Sequence, residues 1–109
     1  MMASYEVVIT DLAERDIEAA FVWWRDNRSA DQAERWLDSI YPAFASLSEM
    51  PERCSRIEES HLYQGDLRQL AFGLGKRPSH RIIIGIREGV VEVLRIRHGS
   101  QRRLTVDDL

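Results

Sequence analysis

Hydrophobic and polar positions along this chain change period twice, from two to about 3.6 and back to two. Tyr5-Glu6-Val7-Val8-Ile9 alternates weakly and is β-branched, which predicts a first strand. Thr10 then suits a helix N-cap, with Asp11 and Glu14 near the positive end of the helix dipole. Ala13, Ile17, Ala20, Phe21 and Trp24 make one apolar stripe on a helix running to about Asn27. Trp23 falls at the edge of that stripe and Val22 on its far side. Ser29 and Gln32 read as a capping box opening a second helix, with the stripe Ala33, Trp36, Leu37, Ile40, Phe44 and Leu47. Asn27-Arg28 is a short connection, so the two helices are expected to form an antiparallel hairpin. Pro42 should kink the second helix or end its first segment, and Pro51 closes the region.

From Glu52 to Tyr63 the pattern is polar and irregular and reads as a loop, with Glu58, Glu59 and His61 clustered in it. Leu67–Phe72 is the next strand, followed by a basic loop, Gly73-Leu74-Gly75-Lys76-Arg77-Pro78-Ser79. Gly75-Lys76 is not a phosphate-binding loop, because the earlier glycine five residues back and the following Ser or Thr are missing. Two long β-branched runs, Arg81–Ile86 and Val90–Ile96, flank Arg87-Glu88-Gly89. Gly89 accepts the positive φ of a tight turn, so Glu88-Gly89 reads as a two-residue hairpin loop. An unbroken register then sets Arg87 against Val90, Ile84 against Val93 and Arg81 against Ile96. Side-chain alternation puts Ile82, Ile84, Ile86, Val91 and Val93 on a core face. Arg81, Ile83, Gly85, Val90, Leu94, Ile96 and His98 fall on the other, where Arg81 and His98 become diagonal neighbours. A one-residue slip would break that pairing. The order strand, helix, helix, three antiparallel strands predicts an α+β domain with both helices on one sheet face.

At 109 residues the chain is one domain, residues 1–109, with 44% hydrophobic and 30% charged residues typical of a soluble protein. It has no apolar run of the length a membrane span needs, and Met1-Met2-Ala3-Ser4 does not read as a signal peptide, so a cytoplasmic protein is expected. The lone Cys54 excludes an internal disulfide and reads as a passive small residue. Charge changes the picture more. Residues 1–61 hold 13 acidic and 6 basic side chains, whereas residues 62–103 hold 9 basic and 3 acidic. The sheet half is therefore positive, which suits nucleic acid or an acidic protein segment, although helices also simply carry more acids than strands do. Lys76 is the one lysine beside fourteen arginines.

The order of elements and several residue groups resemble the RelE/ParE superfamily, the toxins of type II toxin–antitoxin (plasmid stabilisation) systems. The likeness rests on Tyr5-Glu6-Val7-Val8-Ile9-Thr10 with Ala13 and Asp16-Ile17, Ala33-Glu34-Arg35-Trp36-Leu37, and Leu47 to Pro51. It continues through Leu67-Arg68-Gln69-Leu70 with Phe72-Gly73, His80-Arg81-Ile82, and Val93-Leu94-Arg95-Ile96-Arg97-His98-Gly99. The resemblance implies a compact toxin neutralised by a cognate antitoxin, and it calls for no metal or cofactor. RelE- and YoeB-like members cleave mRNA on the ribosome; ParE-like members inhibit DNA gyrase and need no catalytic residues.

Cleavage of RNA by its own 2′-hydroxyl needs a base, a cation over the phosphorane and an acid for the leaving oxygen. By resemblance Arg81 would be the cation and His98 the acid, with Glu58 or Glu59 as base and Arg68 as a second phosphate contact. Lys76, Arg77, Arg95, Arg97 and the stripe-edge Trp23 would contact nucleic acid or antitoxin. Lys76 stands alone where RelE-like members have a lysine pair, and Gly99 follows His98 where a stacking aromatic is expected. A ribosome-dependent endoribonuclease is the leading expectation, ahead of a gyrase inhibitor and of a non-toxic antitoxin-binding module.

Overall fold

The computed structural model describes residues 4–57, 61–98 and 103–109. The chain runs β1 (Glu6–Ile9), α1 (Asp11–Asn27), α2 (Ala30–Ala45), β2 (Ser55–Arg56), β3 (Asp66–Phe72), β4 (His80–Arg87) and β5 (Val90–His98). Short 3-10 turns follow α2 at Ser46–Ser48 and Pro51–Arg53, and another closes the chain at Val106–Asp108. The α+β class and the helix hairpin are as expected, but the sheet has five strands in the order β1-β5-β4-β3-β2. The two extra places are the ends. β1 joins β5 in parallel, and Ser55–Arg56, inside the expected loop, pairs antiparallel with β3.

Local chemistry accounts for the helices. Thr10 is extended and its side-chain oxygen accepts from the Ala13 amide, and Ser29 does the same for Gln32. The reciprocal half of the capping box is not made, since the buried Gln32 Oε1 has no partner among the described residues. Pro42 does not end or split α2, which runs unbroken to Ala45. Pro42 has no amide to offer the Asp38 carbonyl, and both residues lie on the exposed side, where that carbonyl is open to solvent.

Both sheet faces are covered. On one, Ala13, Ile17, Trp36, Ile40, Phe44 and Leu47 from the helical region pack on Ile82, Ile84, Ile86, Val91, Val93 and Ile96. On the other, Ile57, Leu67, Ile83, Leu94 and Leu104 make a smaller cluster, so the C-terminal segment folds back over the sheet. Gly89 takes φ 69° in the β4–β5 turn, as the hairpin reading requires. Gly85 is held to glycine for another reason. A Cβ there would lie 2.2 Å from Cζ of Tyr63, whose ring lies over the strand.

Candidate functional site

The decisive local feature is a bulge in β5. Arg87 pairs with Val90 and Ile84 with Val93 as expected, but Ile83 then pairs with Arg95, Ile82 with Ile96, Arg81 with Arg97 and His80 with His98. Leu94 is the extra residue, and it reverses the faces of everything after it. Ile96 and His98 therefore join the helix face with Ile82 and His80, while Arg95 and Arg97 join Arg81 on the other. This corrects the expectation that Arg81 and His98 share a face. The apolar pattern favours the bulge: Val93 and Ile96, three residues apart, both fill the helix-side core, which strict alternation would not allow.

Helix α1 holds the bulged strand from its free side. β1 stops opposite Val93, and Thr10 takes over, its amide bonding the Val93 carbonyl at 3.1 Å and its hydroxyl donating to the carbonyls of Val93 at 2.9 Å and Leu94 at 3.2 Å. Asp16 follows: Oδ2 accepts from Arg95 Nε at 2.7 Å and from the Ile96 amide at 2.9 Å, and Oδ1 accepts from Arg95 Nη2 at 3.0 Å. These bonds raise the Arg95 guanidinium still further above its ordinary range.

On the helix face, an open cavity of about 490 Å³ is lined by Asp16, Ala19, Ala20, Trp23, His80, Ile96 and His98. Trp23 is 40% exposed at its rim, with its ring 5.8 Å from that of His98 and 5.4 Å from that of Trp24. His80 is only 7% exposed and packs 5.2 Å from Trp36. Burial, and then the facing His98, pulls the His80 imidazole down to about 4. His80 was not among the sequence candidates; its pairing with His98 depends on the bulge, which no turn residue or glycine marks in the sequence.

On the other face, Arg81 donates from Nη1 to Gln69 Oε1 at 2.9 Å. Arg97 is 3% exposed and lies 3.6 Å from the Asp108 carboxylate, while Arg95 Nη1 donates to the Asp108 carbonyl at 2.8 Å. The acidic C-terminal segment thus lies across the strand arginines. Arg68 faces the helix side and is engaged with the backbone: Nη1 donates to the carbonyls of Glu52 at 2.7 Å and Cys54 at 2.8 Å, and Nε to Asp66 at 2.9 Å. It ties β3 to the turn before β2 and lies across the sheet from Arg81. Lys76 and Arg77 are exposed in the β3–β4 loop. Glu58 and Glu59 lie outside the described residues. Cys54 is buried, which pushes its thiol up, as expected of a passive residue. Among the described residues, no group of three or more His, Cys, Asp or Glu is arranged to hold a metal ion, and no helix is long and apolar enough to cross a membrane.

The arrangement therefore separates the expected cation from the expected acid. Comparison with known proteins gives the family. Residues 7–103 match the family model described as the ParE toxin of the type II toxin–antitoxin system parDE. The chain belongs to the ParE toxin family. Solved structures agree on the fold. A chain from the chromosomal ParDE toxin–antitoxin system of P. aeruginosa superposes with a TM-score of 0.70 at 16% identity, covering 88% of this chain and 97% of that one. A chain of the RelBE2 toxin–antitoxin complex of Mycobacterium tuberculosis gives 0.51 at 22% identity, covering 93% and 98%. No curated protein matches this ParE-family chain.

Proposed function

We propose that this ParE-family toxin acts as a non-enzymatic inhibitor of DNA gyrase, held in check by a cognate antitoxin. One observation carries the choice of mechanism: the bulge at Leu94 sends Arg81 and His98 to opposite faces of the sheet. A phosphorane cannot be held by one while the other protonates its leaving oxygen, because general acid catalysis needs the acid within hydrogen-bond reach of that atom. Three of the other candidate arginines support the same reading. Arg68 and Arg95 spend their donors on the protein itself, and Arg97 is buried beneath Asp108. A toxin that works by binding has no need of the missing constellation. An antitoxin partner is supported by the structural neighbours, both from toxin–antitoxin systems, and by Trp23, a large exposed aromatic of the kind that anchors interfaces.

The test is induced expression of the chain alone in a bacterial host, with protein and DNA synthesis pulse-labelled separately. The expected result is failure of DNA synthesis while translation continues, unchanged in His98→Ala. Fast collapse of translation that His98→Ala abolishes would restore the ribosome-dependent nuclease. Normal growth with both syntheses intact would point to a non-toxic binding module.

A further inference from the structure

Two imidazoles stand together on the wall of the cavity beside α1, and gyrase binding without catalysis gives neither of them a task. His80 and His98 are direct partners across the β4–β5 pair, with ring centres 5.1 Å apart and planes at 89°. Two imidazoles sharing one tetrahedral ion, each with a nitrogen about 2 Å from it, have ring centres roughly 5 Å apart. The strands therefore already hold the pair at ligand spacing. Each ring also has a backing. His80 packs on Trp36 at 5.2 Å, and its Nδ1 lies 2.7 Å from Ser79 Oγ; His98 packs on Trp23 at 5.8 Å. A hydrogen bond at Nδ1 leaves Nε2 as the ligand nitrogen, the way ligating histidines are commonly oriented. The cavity they line has about 490 Å³, room for an ion and its waters.

We propose that His80 and His98 form a two-imidazole seat for a divalent transition-metal ion of the zinc, cobalt, nickel and copper group. The donors set the class: imidazole nitrogen suits these ions, whereas magnesium and calcium take oxygen. Asp16 lines the same cavity but is no third ligand, since its oxygens are committed to Arg95 and the Ile96 amide. Water completes the coordination, so the seat is open and exchangeable, unlike a closed structural zinc site. Occupancy pins the His98 ring against His80 and with it the Trp23 edge of the rim.

The experiment is titration of the intact, tag-free protein with cobalt chloride read by visible absorption, and with zinc chloride read by thermal melting. Cobalt bands saturating at one ion per chain and a raised melting temperature with zinc are expected. His98→Gln, at a partly exposed position, should keep the metal-free melting temperature and weaken cobalt binding by roughly tenfold or more. His61→Gln, which alters a different cavity, should bind as wild type does. His80→Asn should lose the same bands, read at low temperature in case it melts early. Absence of a saturable band in the wild type, or undiminished binding in His98→Gln, would overturn the proposal.

Discussion

Asp16 is the residue on which the geometry of β5 most depends. It holds Arg95 through two oxygens and caps an amide that no neighbouring strand reaches. Asp16→Ala leaves Nε and Nη2 of a largely buried guanidinium and a backbone donor without their acceptor, an expected loss of about 2–4 kcal/mol in urea unfolding at an unchanged m-value. Asp16→Asn, which keeps one acceptor, should lose less. Tyr63 makes the pH prediction. Its hydroxyl donates to Glu92 and accepts from Arg87, and burial, followed by the Glu92 bond, pushes the phenol up to about 12. The folded chain binds this proton more tightly than the unfolded one, whose phenol titrates at about 10. The resulting stability is present below pH 10 and lost as pH rises through about 12. An alkaline titration of phenolate absorbance should show a last step that Tyr63→Phe removes.

At the scale of elements, the helices and the hairpin turn were legible because their signals are local: caps, a 3.6-residue stripe, and a glycine at the turn. The register was legible as far as Val93. It failed at Leu94 because a bulge between two apolar residues looks like two ordinary strand positions, and the opposing clusters that favour it are assembled from distant residues. β2 is two residues long and borrows its order from β3, so no period could announce it. Of the two outcomes expected of Pro42, an end to the helix is not seen, since packing of Ile40 and Phe44 on either side carries α2 through it. Pro42→Ala should restore a helical amide and raise stability by about 1–3 kcal/mol, checked by thermal melting. Gly85→Ala should cost about 1–3 kcal/mol by driving a methyl into the Tyr63 ring. In the Tyr63→Ala background the same change should cost much less.

For the molecule as a whole, the two apolar clusters, one on each sheet face, leave the sheet little exposed surface for contact with a partner. The Trp23 rim and the outer side of the C-terminal segment are among the surfaces that remain. The segment from Arg103 to Leu109 is integral to the fold, since Leu104 fills the second cluster and Asp108 lies against Arg95 and Arg97. Removing residues 104–109 should cost about 3 kcal/mol or more and increase binding of a hydrophobic dye, because Leu67, Ile83 and Leu94 lose their cover. A smaller loss would mean that the segment only rests on the sheet.

The parallel pairing of the first strand with the last also sets a clock on synthesis. Glu6 finds its partner only at Val90. At ordinary rates of elongation the interval between making the two is roughly 4–17 s, during which the helix hairpin has no completed sheet to pack on. A nascent chain stalled before β5 should therefore be cut readily by protease and harmless to its own ribosome and cell. On this topology the toxin becomes dangerous only after nearly the whole chain has been made, and an antitoxin already present at that moment would meet it as it folds.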